Sequence, residues 1–167
     1  MPVPFPLSYK SYPAPDWLAA AVAGIVAGAV LMLLSLLWAA NDIHMQPWML
    51  ARRIAAITMG QQVLASADFS ITVVAVMAIT HYVLGVLFAA ILAAIISIGS
   101  IKRSPAAVML IGALFGLLLY VVNFYLLAER FPWFVDMRGG PPLIAHLIFG
   151  LVSAGVYLKF DRHTDAI

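Results

Sequence analysis

Two histidines stand inside otherwise apolar runs. His81 lies in "THYVLGVLFAA", residues 80–90, and His146 in "AHLIFGLVSAG", residues 145–155. Both segments read His-x-x-x-Gly-x-x-x-Ala. An ionisable side chain within a membrane helix is costly and is a functional candidate by default. Three kinds of chemistry are open to the pair. Neutral rings can hydrogen-bond to neighbouring helices, with Thr80, Tyr120 and Asn123 as candidate partners. Rings held opposite each other can bind the iron of haem b as axial ligands, with glycine one turn below letting a porphyrin approach the backbone. Rings can also relay protons in a small oligomeric transporter or channel.

The surrounding residues weigh these readings differently. His146 lies four residues past Pro142, whereas His81 lies thirteen past Asp68; this depth mismatch counts against a haem shared by His81 and His146. No Asp or Glu falls inside an apolar run, and no run is broken by proline at mid-membrane, the usual pointer to a carrier's substrate site. The expected cofactor is therefore none, with haem b as the alternative and bound lipid expected around the helices. No HExxH, GxSxG or P-loop pattern is present, so no catalytic residue is assigned. The acids Asp42, Asp68, Glu129 and Asp136, with His44, read as solvated loop residues and not as a metal site. There are no cysteines, which excludes disulfides and thiolate ligands.

The elements that must position the histidines are membrane helices. The 167 residues are 65% hydrophobic and only 10% charged, against about 25% charged in a soluble domain. Continuous apolar runs predict spans at 17–40, 71–101, 106–128 and 143–160, each near the ~20 residues needed to cross a bilayer. The predicted fold is all-α, with four transmembrane helices in one domain over 17–167 behind a Pro-rich tail, 1–16. Asp16 is the expected N-cap of the first helix, and the leader reads as retained, not as a cleaved signal. The net charge of +2 comes from scattered cations, so nucleic acid is not an expected partner. Lys10, Lys102, Arg103, Lys159 and Arg162 on one side against Arg52, Arg53, Arg130 and Arg138 on the other favour cytoplasmic termini.

The halves repeat. "GIVAG", Gly24 to Gly28, is matched by "GALFG", Gly112 to Gly116; "QPWMLARR" is matched by "FPWFVDMR"; and each half then reaches its His-x-x-x-Gly helix. The order implies two duplicated helical hairpins in parallel, related by a pseudo-two-fold along the membrane normal. In lipid, helices associate by close backbone approach, so Gly24, Gly28, Gly85, Ala89, Gly112, Gly116, Gly150 and Ala154 are expected packing positions. Trp17, Trp48 and Trp133 are expected interface anchors. The first connection is longer than the second and predicts an interfacial helix within 48–66, tucked against the bundle or a partner.

From His81 and from "NFYLLAERFPWF…HLIFGLVSAGVY" onwards, the chain resembles a group of bacterial four-helix inner-membrane proteins. It is distantly similar to the YagU-like membrane proteins, which also carry a His near the start of a late helix. The resemblance implies a bacterial inner membrane and no catalytic residues. Together these features suggest a non-catalytic accessory or assembly subunit of a larger inner-membrane complex, such as a respiratory one, with other membrane-protein subunits and the lipid bilayer as its partners.

Overall fold

Size, and not polarity, decides which face of each helix is buried. On α1 (Trp17–Asn41) the buried residues are Ala19, Ala20, Ala23, Gly24, Ala27, Gly28 and Ala39. Leu18, Ile25, Leu33 and Leu37 of the same helix are exposed. A soluble protein would reverse this, but lipid is as apolar as leucine, so helices gain by bringing backbones close through small residues. The remaining helices are α2 (Pro47–Met59), α3 (Ile71–Ser97), α4 (Pro105–Val121) and α5 (Gly140–Phe160). The computed structural model describes residues 14–41, 47–98 and 104–162. The leader to residue 13, Asp42, His44, Lys102 and Arg103 lie outside the described residues.

Four helical segments of 25, 27, 25 and 21 residues are long and apolar enough to cross a membrane: α1, α3, α4 with its continuation to Glu129, and α5. The chain is an all-α, four-helix membrane protein. Asp16 Oδ1 accepts the Leu18 and Ala19 N–H groups at 3.1 Å each, and Ser70 and Ser104 cap α3 and α4. Two expected bounds need correction. The second span ends at Ser97, not 101, because Ile98 is extended. The fourth begins at Gly140, not 143, with Pro141 and Pro142 inside its first turn, where a missing N–H costs nothing.

The two hairpins are built on the same seam. A Cβ on Gly24 would come within 2.5 Å of Val86 Cα and 2.7 Å of Gly85 O. One on Gly112 would come within 2.6 Å of both Gly150 O and Ala154 Cβ. One turn on, Gly28 faces His81 and Tyr82 while Gly116 faces His146 and Leu147. Gly24–Gly85 thus corresponds to Gly112–Gly150, and Gly28–His81 to Gly116–His146. Ala89 and Ala154 are buried in the same core.

The hairpins join unevenly. α1 packs along α5, whereas α3 and α4 barely touch. Where α1 begins and α5 ends, buried Asp16 accepts from Arg162 Nε at 2.7 Å and Nη2 at 3.1 Å. The Tyr157 hydroxyl accepts the Asp16 N–H at 3.2 Å and lies 3.3 Å from Ser97 Oγ. This knot ties the start of α1 to the ends of α3 and α5.

Leucine at Gly112 or Gly150 should destabilise the protein by at least the ~1–3 kcal/mol typical of overpacking, whereas Gly140→Ala, where nothing lies within 4 Å, should have little effect; thermal unfolding in detergent separates the two. The knot carries a pH dependence. The hydrogen-bonded Arg162 guanidinium, with the Ala19 N–H, holds the Asp16 carboxyl well below the usual carboxylate range. A depressed folded-state pKa contributes stability that is present above the unfolded value of about 3.9 and lost as pH falls through the folded one. The Tm should therefore change little through this pair from pH 7 to about 5 and decline below about 4. Asp16→Asn should lower the Tm at pH 7 and flatten that decline.

Candidate functional site

His81 and His146 both line one cavity of about 120 Å³ at the junction of the two hairpins. His81 lies ten residues past the start of α3 and His146 six past the start of α5. The offset of about one turn, roughly 6 Å at 1.5 Å per residue, is smaller than counting from Asp68 and Pro142 suggested, because α3 begins three residues after Asp68 and α5 two before Pro142.

Each ring has its own partners. Nε2 of His81 lies 2.8 Å from the Gly28 carbonyl, which can only accept, so Nε2 carries the proton. Nδ1 of His146 lies 2.8 Å from the Pro142 carbonyl and is the donor there. Its Nε2 lies 3.1 Å from Asn123 Nδ2. A charged ring in this apolar setting is costly, so His146 is neutral and its Nε2 accepts an Asn123 N–H. The two histidines therefore hold opposite tautomers. Of the anticipated partners, only Asn123 meets an imidazole through a hydrogen bond. The Thr80 hydroxyl bonds with Thr58 at 3.1 Å, and Tyr120 Oη accepts the Gly139 N–H at 3.2 Å.

Asn123 lies on a π turn, Val122–Leu126, that continues α4 and is closed by the Leu127 N–H on Val122 O. Such turns loosen the regular ladder and recur at functional sites. One loosened carbonyl, Phe124 O, accepts Arg138 Nε at 2.7 Å. Arg138 also stands 4.3 Å above the Tyr125 ring, which pins the second connection onto the end of α4.

Both connections fold over the cavity. From α2 come Leu50, Ile54 and Ile57, and from the 3-10 segment Pro132–Met137 come Phe134 and Met137. α2 packs on α3 through buried Ala51 and Ala55 and ends at Gly60, whose φ of +89° suits glycine. Buried Arg52 holds the following turn, donating to Val63 O at 2.7 Å and also to Asp68 O. The connections touch each other: Trp133 Nε1 donates to Arg53 O at 2.9 Å. Trp133 is 8% exposed, so it is a core residue and not the expected interface anchor; its indole N–H is spent on the other repeat. Trp17 and Trp48 are exposed. Glu129 is exposed, as are Asp68 and Asp136; Arg53 Nη2 lies 3.8 Å from Asp136 Oδ2.

Ser35, Trp38, Phe88, Leu119 and Phe149 complete the cavity wall. Sequence reasoning passed over Trp38 and Ser35. The available signal was their place on α1, Ser35 two turns and Trp38 about three turns past Gly28. Among the described residues, no group of three or more His, Cys, Asp or Glu is placed to hold a metal ion.

In ¹⁵N-labelled histidine spectra at pH 7.5, His81 should show the Nε2–H tautomer and His146 the Nδ1–H tautomer. Asn123→Leu, which strips the donor from His146 Nε2, should destabilise the protein by about 1 kcal/mol; an unchanged melting temperature would argue against that bond. No protein-family model, curated protein or solved structure matches this chain.

Proposed function

We propose that this chain is a non-catalytic subunit of a bacterial inner-membrane assembly, and that its two hairpins hold a small lipid-soluble molecule between them. The carrying observation is the cavity at the hairpin junction: walls of Trp38, Phe88, Phe124 and Phe149, with Ser35, His81, Asn123 and His146 as its few polar groups. An apolar pocket with a small number of placed polar side chains is the usual form of a small-molecule site. The sparse contact between α3 and α4 offers a route from the bilayer.

The same geometry gives less support to the other readings. As an axial ligand His146 would have to give up a bond, since its Nδ1 donates to Pro142 O and its Nε2 accepts from Asn123. An apolar cavity of about 150 Å³ accepts one benzene, so 120 Å³ suits one ring and not a tetrapyrrole. Proton-linked transport lacks a carboxylate within the four spans, Glu129 standing at the very end of the third. Hydrolysis lacks a nucleophile–base pair, since among the described residues Ser35 has no bond to either ring.

A tagged copy purified from native membranes in mild detergent should carry stoichiometric membrane-protein partners, identified by mass spectrometry, and an extractable small molecule. Recovery of the chain alone, with no partner, would sink the subunit reading. Recovery with no small molecule would count against the cavity's role.

A further inference from the structure

Among the described residues, two polar atoms of the cavity residues are acceptors left without a protein donor. Gly28 O takes the Nε2 proton of His81, so in the neutral ring Nδ1 keeps a lone pair. Pro142 O takes the Nδ1 proton of His146, and Asn123 turns its amide N–H to the remaining nitrogen. That orientation leaves Asn123 Oδ1 facing away from the bond as a second acceptor. Among the described residues neither His81 Nδ1 nor Asn123 Oδ1 has a protein donor, and neither is a buried orphan of the kind found at Ser153 Oγ; both are therefore accessible. The Ser35 hydroxyl, which can donate or accept, lies on the same wall.

Resting on the cavity reading above, we infer that the occupant is a ring-sized alcohol or phenol that donates its hydroxyl proton to His81 Nδ1. The apolar body packs among Trp38, Phe88 and Phe149, and Asn123 Oδ1 stands as the alternative acceptor. A ligand with only acceptors meets a lone pair at His81 Nδ1 and gains no bond there. Burying unmatched acceptors together carries a penalty that a donor removes, so the site discriminates by the presence of one O–H.

The experiment uses the full chain in lipid nanodiscs and two probes, 4-bromophenol and its methyl ether 4-bromoanisole, which differ by one methyl group on the oxygen. Bromine quenches indole fluorescence at contact, and the Trp38→Phe variant supplies the background from Trp17, Trp48 and Trp133. The phenol should quench Trp38 with an affinity about three- to tenfold above the ether's, the ratio expected of one net hydrogen bond, and His81→Phe should bring the two to parity. If that variant does not fold, the ¹⁵N resonance of His81 Nδ1 in the native protein replaces it, moving with the phenol and not with the ether. Equal quenching by both probes, or an unmoved Nδ1 resonance, overturns the inference and leaves the cavity reading standing. No Trp38-specific quenching by either probe overturns the cavity reading itself.

Discussion

The backbones of α4 and α5 approach so closely at Gly112, Gly116 and Gly150 that no side chain fits between them, and the architecture follows from that contact. Lipid supplies no hydrophobic reason for helices to associate, so the attraction must come from dispersion and polar contacts at short range. Glycine permits that range, and its repetition at Gly24 and Gly85 gives the first hairpin the same geometry. One turn beyond each seam stands a histidine, so the depth of both imidazoles follows from where the glycines meet. The cavity opens where the seams end and the helices carry larger side chains.

Duplication supplies the scaffold, and departures from it make the site. Strict two-fold symmetry would pair α3 with α4 as closely as α1 pairs with α5, but only the second pair packs along its length. The Asp16–Arg162–Tyr157 knot occupies one end of the α1–α5 pair. The connections differ as well: the first contributes a helix of more than three turns on α3, the second a 3-10 segment pinned by Arg138. Their contact through Trp133 and Arg53 O lets one roof be made from unequal pieces.

Polar groups within the spans meet a strict demand, since lipid offers them no water. The π turn on α4 loosens backbone groups, and Arg138 satisfies one of them from the neighbouring connection. His146 donates from Nδ1 to the Pro142 carbonyl one turn back along α5, and thereby sets the orientation of Asn123. Each bond fixes the direction of the next, and His81 Nδ1 and Asn123 Oδ1 are left over as acceptors.

Length and apolar composition alone determined four spans and an all-α fold, because a backbone in lipid must close its hydrogen bonds within each helix. The small residues were also legible in advance: GIVAG, GALFG and the two His-x-x-x-Gly runs all lie at helix seams. Less legible was which apolar face turns inward, since Leu and Ala differ here in size and hardly in polarity. Pro142 read as a boundary and displaced the start of α5; Trp133 read as an anchor, although its N–H is taken by a backbone carbonyl eighty residues away in the chain. The cavity, the opposite tautomers and the roof over them were decided by tertiary structure alone. They depend on which helix lies against which, and spacing along one helix carries no information about its neighbour's register.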